Sequence, residues 1–279
     1  LGIHPDTEAI PPTKPLLLFK YGGNAMSDVA LQRDVLNRIA SLKTRGYDIV
    51  IVHGGGPFIQ RQLTSAGILT EFIDGHRVTS REAYTHVEMA LKGQVNSALV
   101  GLLNSLGHAA VGLSGKDGQL VTARKRWHQR EGSDERVDLG HVGDVDNVDP
   151  HLLHLLLQHH YIPVVTCLAS DVNGNSFNIN GDMFAGHLAG ALQAREYIIL
   201  TDVDGLLADR TNPASLIRNL SASEVSGLIN DGTIDGGMIP KIESCMVALG
   251  QGCSKARILN GTRPAQLDAP HDHGTTITP

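Results

Sequence analysis

The stretch PLLLFKYGGNAM, Pro15 to Met26, decides how the rest of the chain is read. Leu16–Phe19 is a continuous apolar run, the pattern of a short strand buried on both faces of a parallel sheet. The run ends in Lys20, followed by Gly22 and Gly23. An ammonium at the end of a core strand, beside backbone with no side chain, suits an anion held beyond the strand's carboxyl end. Taken alone, Lys20 reads equally well as a solvated strand end.

Working outward, strand and helix signals alternate. Asp28 to Leu42 places Val29, Val35, Leu36, Ile39 and Leu42 on one side of a helix. DIVIV, Asp48–Val52, is a second buried strand and runs into HGGGP. Pro57 suits the first turn of a helix reaching about Ser65. Glu82 to Leu106 reads as one long helix closed by Gly107, and Ala109–Leu113 as a strand ending in SGKDG. The charged stretch Thr122 to Asp138 reads as a hairpin or an exposed loop. Pro150 to His160 is a helix and YIPVV a strand. GDMFAGHLAGALQA is a helix with small residues on one face, and YIILTDVDGLL a strand and turn. Ser221 to Asn230 is a helix with Glu224 placed for a capping box. GGMIPKIESCMVALGQG opens on glycines and continues as a helix, and KARILNG is a late strand. This alternation predicts an α/β fold with a mostly parallel sheet covered by helices on both faces.

The 279 residues, 41% hydrophobic and 19% charged, can bury a sizeable core. A formal net charge of -6 argues against nucleic acid or an anionic membrane surface as the main partner. Cys167, Cys245 and Cys253 form no CxxC pair and read as small buried hydrophobes, so a reducing compartment is expected. No apolar run reaches the roughly eighteen residues of a membrane span. Leu1 to Pro15 carries four prolines and reads as an extended, flexible arm. The N-terminus shows no basic n-region and no apolar h-region, so cytoplasmic location is expected; because the chain starts without Met, a removed organelle transit peptide stays the open alternative.

Three strands run into glycine-rich turns: Gly22-Gly23, Gly54-Gly55-Gly56, and Gly115 with Gly118. Successive free N–H groups make an anion nest, and a following helix N-terminus adds positive potential. The Walker A pattern is absent, and Ile59 stands where a dinucleotide fingerprint needs its last glycine. Phosphates would therefore be held by separate glycine turns and separate lysines. Lys241, one turn into the helix of GGMIPKIES, is the second lysine. Two lysines and several nests suit phosphoryl transfer, where catalysis is largely positioning and charge stabilisation. A carboxylate acceptor needs no general base. No Ser-His-Asp or Cys-His arrangement stands out, and the four histidines of HLLHLLLQHH fit a half-exposed helix better than a metal site.

KYGGNAM, VHGGGP, DGHRVTS, GLSGKDG, DLGHVGDV, FNINGD, LTDVDGLL and GGMIPK occur in this order between Leu16 and Gly261. In this the chain resembles the N-acetyl-L-glutamate kinases of the amino acid kinase family. The resemblance implies a three-layer αβα sandwich around a central mostly parallel sheet. It implies an acceptor lobe over residues 16–175, a nucleotide lobe over 176–279, and a homodimer or larger homo-oligomer. The implied reaction moves a phosphoryl group from ATP, with Mg²⁺, to the side-chain carboxylate of N-acetyl-L-glutamate, a step of arginine biosynthesis. Carried over by motif, Lys20 and Lys241 stabilise the transferring group and Asp182 orients both. Gly22, Gly23, Gly54, Gly55 and Gly56 supply N–H groups. Arg77 clamps a substrate carboxylate and Asn178 holds the same molecule. Thr201, Asp202, Asp204 and Gly205 border the nucleotide, with Thr233, Ile234 and Asp235 near its base or ribose.

Without the resemblance the residues say less. Asp182 after Gly181 reads equally as a helix N-cap, and Asp202 and Asp204 as turn residues. Phe58 and His76 depart from the pattern, as does the ending LDAPHDHGTTITP. Two other readings stand beside the main one: a related kinase acting on a different acceptor, and a non-catalytic nucleotide-binding regulator.

Overall fold

Alternation along β1 (Leu16–Tyr21) decides which way the site residues face. Leu16 and Leu18 pack into one apolar cluster, and Leu17, Phe19 and Tyr21 into another on the opposite face of the sheet. Lys20 shares the parity of Leu16 and Leu18 and therefore faces the first cluster. The computed structural model describes residues 14–26, 28–73, 76–129 and 136–279. The arm expected over 1–15 lies outside the described residues apart from its last two.

The strands after β1 are β2 (Asp48–His53), the short pair β3 (Phe72–Ile73) and β4 (His76–Arg77), β5 (Ala110–Ser114), β6 (Val121–Gln129) and β7 (Arg136–Val148). They continue with β8 (Ile162–Thr166), β9 (Leu168–Ser170), β10 (Ser176–Ile179), β11 (Glu196–Thr201), β12 (Asn219–Ser221), β13 (Ala256–Asn260) and β14 (Thr275–Thr278). Eight strands form one sheet in the order β12-β14-β13-β11-β1-β2-β8-β5. Neighbours are parallel except where β14 meets β13. β1 pairs with β2 on one side and with β11 on the other. The chain leaves β1 in one direction and returns later to its other edge, so β1 is the topological switch point, where open α/β sheets bind ligands beyond their strand ends.

Helices α1 (Val29–Ser41), α2 (Gly56–Ser65), α3 (Arg81–Glu88), α4 (Ser97–Ser105), α5 (His151–Gln158), α6 (Gly181–Ala191), α7 (Val225–Asn230) and α8 (Ile239–Gly250) complete the layers. α6 and α8 pack on the Leu16–Leu18 face, and α1 and α4 on the Phe19–Tyr21 face. Asp28 caps α1, its carboxylate accepting from Leu31 N–H at 2.7 Å. The capping box read at Ser221 and Glu224 is present. The helix expected as one piece over Glu82 to Leu106 is α3 and α4 joined by a π-helical segment, Met89–Asn96. The wider winding turns the helix face within this segment, and with helical signals continuing on both sides the sequence reads as one helix.

The charged stretch after Thr122 is the hairpin alternative, with β7 running on to Val148. Lys125–Asp138 at 2.7 Å and Arg126–Asp144 at 2.8 Å pair its strands, so the charges are cross-strand partners. β6, β7, β9 and β10 close into a small barrel. β10 pairs with both β7 and β9, so strands from both sides of the expected 175/176 border share this barrel. The ending that leaves the family pattern belongs to the sheet: Thr275 Oγ1 accepts from Leu206 N–H and donates to Ile217 O.

α6 and α8 approach closely because their shared face is small. A Cβ at Gly186 would lie 2.4 Å from Ser244 O, which is backbone and cannot swing away. Gly186→Ala is expected to lower stability by about 1–3 kcal/mol through overpacking. Urea unfolding of the purified variant reads this directly, and an unchanged midpoint would show that the two helices are not in contact there.

Candidate active site

The parity of β1 sends Lys20 toward the first turns of α6 and α8. Asp182, 6% exposed, stands between the lysines of the two other elements. Its Oδ1 lies 2.8 Å from Lys20 Nζ, and its Oδ2 accepts a hydrogen bond from Lys241 Nζ at 3.1 Å. Burial pushes this carboxyl up, and the two ammonium groups outweigh burial, so it is held below its ordinary value of 3.8. Asp182 is not the N-cap of α6. Asn180 is, its side-chain oxygen accepting from Asp182 N–H at 2.9 Å and Met183 N–H at 3.1 Å. The carboxylate is thereby free for the lysines.

Below the triad, Tyr197 OH donates to Asp182 O at 3.1 Å and lies 3.2 Å from Ser244 Oγ. Ser244 Oγ in turn donates to Lys241 O at 2.7 Å. Burial raises the Tyr197 phenol well above its usual range, keeping the proton it donates. One tyrosine on β11 thus braces the first turns of α6 and α8. Both helix N-termini converge on the same point and add to its positive potential.

Two clefts open on the triad and share Lys20, Gly22 and Gly23. One, of about 520 Å³, is lined by Thr201, Asp202, Gly205, Thr233 and Lys241 among others. The other, of about 310 Å³, holds Gly54, Gly55, Gly56, Arg77, Asn178 and Asp182. The Arg77 guanidinium stacks 4.5 Å from the centre of the Phe72 ring and donates to Gln60 Oε1 at 2.9 Å. Burial lowers its pKa.

Three residues expected at the nucleotide stand outside the lining of the larger cleft. Asp204 accepts from Asn260 Nδ2 at 2.8 Å and pairs with Arg263, which fixes the loop after β11. Ile234 is buried in the core. Asp235 pairs with Arg210. Arg210, Val203 and Met238 line the cleft and were not singled out from sequence. Arg210 sits in an exposed loop between polar and proline residues, where no periodicity marks it. Phe58 is outside the smaller cleft and packs against the opposite-face core, with Arg61 4.6 Å over its ring. The side chain of His76 lies outside the described residues. Among the described residues, no group of three or more His, Cys, Asp or Glu side chains could hold a metal ion, and no helix is long and apolar enough to cross a membrane.

A cation pair bridged by one carboxylate, set at a sheet switch point between two clefts, is a geometry suited to a phosphoryl group in an α/β protein. The family profile described as "Amino acid kinase family" matches residues 15–260, and the chain belongs to that family. It is 45% identical over 267 residues to the acetylglutamate kinase of Pelotomaculum thermopropionicum, covering 93% of this chain and 90% of that one. It is 48% identical over 251 residues to the acetylglutamate kinase of Synechococcus sp. strain CC9311, covering 90% and 85%. Among solved structures, smu.665 from Streptococcus mutans UA159 superposes with a TM-score of 0.77 at 28% identity, over 94% of this chain and 98% of that one.

The Asp182 carboxylate makes a pH prediction. Its folded value is depressed, so its contribution to stability is complete above 3.8 and is lost as pH falls below 3.8 through the lowered folded value. Asp182→Asn leaves two ammonium groups facing a neutral amide and should cost about 3–5 kcal/mol near neutral pH. The gap in unfolding free energy between the wild type and this variant should be flat between about pH 5 and 8 and should close below about pH 4. Denaturant titrations across that range check it, and a gap that persists at low pH would contradict the ionised pairing.

Proposed function

We propose that this chain is an ATP-dependent kinase that phosphorylates the side-chain carboxylate of N-acetyl-L-glutamate, giving N-acetyl-L-glutamyl 5-phosphate for arginine biosynthesis. The observation that carries the reading is the Lys20–Asp182–Lys241 bridge at the point where the two clefts meet, in a chain whose relatives bear the name acetylglutamate kinase. Three buried thiols fit a cytoplasmic protein.

ATP enters the larger cleft with Mg²⁺ as part of the substrate. The acceptor half is carried by residues 16–175 with the segment Asn178–Asp182, and the nucleotide half by the remainder of 176–279. Arg77, already oriented by Phe72 and Gln60, pairs in bidentate fashion with an acceptor carboxylate, and Asn178 holds the same molecule. The side-chain carboxylate of the acceptor attacks the γ-phosphorus, an O–P bond forms, and the bond to the β,γ-bridging oxygen breaks with ADP as leaving group. No proton has to be removed from the nucleophile. Lys20 and Lys241 offset the repulsion between carboxylate and polyphosphate, and the glycine N–H groups take up charge on the transferring oxygens. Asp182 keeps both ammonium groups aimed at the junction between the clefts.

A hydroxylamine trap for acyl phosphate, with N-acetylglutamate, ATP and Mg²⁺, tests the reaction. Hydroxamate formed only with another acidic acceptor would move the assignment to a different member of the family, and ATP binding without turnover on any acceptor would favour a regulator. Lys20→Ala and Lys241→Ala should each lower kcat by roughly a hundredfold or more, with smaller changes in KM, since a donor used mainly in the transition state acts on kcat. An unchanged kcat in either folded variant would remove that lysine from the reaction. Arg77→Lys keeps the charge and loses the fork. It should raise KM for N-acetylglutamate and leave KM for ATP unchanged, and the reverse pattern would assign Arg77 to the nucleotide.

A further inference from the structure

His53 ends β2 with its side chain on the opposite face of the sheet from Lys20, fully buried beside α4 and the π-helical segment. It touches neither cleft, yet it immediately precedes Gly54, Gly55 and Gly56, which line the smaller one. We propose that Asn96 and His53 are positioning residues that aim the Gly55 N–H into the acceptor cleft from behind the sheet. The inference rests on the kinase reading above and adds to it a support on the far face.

The proton inventory is closed by one backbone carbonyl. Val164 O can only accept, so the Asn96 side-chain atom 2.9 Å from it is the amide nitrogen. The second proton on that nitrogen points at His53 Nε2, also 2.9 Å away, which must therefore be the bare ring nitrogen. The ring proton then sits on Nδ1 and is donated to Gly54 O at 2.9 Å. Burial pushes the His53 pKa down to about 4, so the ring keeps this neutral form at neutral pH. In a trans peptide the carbonyl of one residue and the N–H of the next point in opposite directions. Drawing the Gly54 carbonyl toward the far face turns the Gly55 N–H toward the cleft, and among the described residues that N–H has no partner.

The π-helical winding supplies the support. Leu91 and Asn96 are five residues apart and would diverge by about 140° on an α-helix. Within Met89–Asn96 both are buried, Leu91 at the acceptor cleft and Asn96 against His53. A Cβ on Gly55 would lie 2.7 Å from Leu91 Cδ2, and one on Gly112 would lie 2.1 Å from Asn96 Oδ1. Gly55 is thus packed against Leu91 on the cleft side, while Asn96 reaches the ring from the far face across the bare backbone of β5.

Long-range proton–nitrogen correlation NMR on the ¹⁵N-labelled full chain reads the His53 tautomer directly. The proton is expected on Nδ1, and a proton on Nε2 overturns the proposal. Asn96→Leu removes the donor while keeping similar bulk. It should let the tautomer mix, shift the Gly55 amide resonance and lower kcat by about 10- to 100-fold, with KM for ATP within about twofold. An unchanged kcat and Gly55 resonance in the folded variant also overturns it. Should that variant fail to fold, the wild-type tautomer decides. A wild type that forms no acyl phosphate sinks the functional reading and leaves the tautomer and the Gly55 resonance to judge this one.

Discussion

Everything around the site depends on a single carboxylate holding two ammonium groups. Lys20 and Lys241 come from elements separated by more than half the chain, and placed together alone they would repel. Asp182 lies within 2.8 Å of one and 3.1 Å of the other and is itself almost out of water. A buried carboxylate with no partner would cost several kcal/mol, and with two partners the pairing becomes favourable enough to outweigh its desolvation. Two ammonium groups on one carboxylate leave the triad with one net positive charge.

That pairing requires β1, α6 and α8 to meet at one point, and packing arranges it. α6 presents Gly186 and Gly190 toward α8, so the helices approach until Ser244 backbone abuts Gly186. Close approach brings the two N-termini together, and Tyr197 ties their first turns from below. The small-residue face is therefore a geometric condition for the charges above it.

The sheet separates chemistry from support. Residues of one parity on β1 and β11, Lys20 and Thr201, face the clefts, while His53 on β2 faces away and is held by Asn96. Groups on the far face can orient backbone in the site without entering it. Their cost is an imidazole buried away from water, offset by satisfying both ring nitrogens.

The order and type of the main elements were legible in the sequence, because apolar runs and period-3.6 stripes report burial directly, and β1, β2, α1 and α6 lie within a few residues of where the pattern put them. So were the lysines and glycine turns, since strand ends followed by glycine mark where backbone can meet an anion. Asp182 was ambiguous: its neighbours permit a cap, and only the fold shows that Asn180 takes that role and leaves the carboxylate to Lys20 and Lys241. Asp204 and Asp235 resembled nucleotide contacts, and their pairing with Asn260, Arg263 and Arg210 was not legible, because which way a loop carboxylate turns depends on partners supplied from elsewhere in the chain. The π-helical winding, the closing strand β14 and the Asn96–His53 contact left no local mark, for each is set by packing between segments far apart in sequence. The sequence alone determined which residues could bind an anion. Tertiary structure decided which of them share a site, because charge pairing and helix approach act through space and not along the chain.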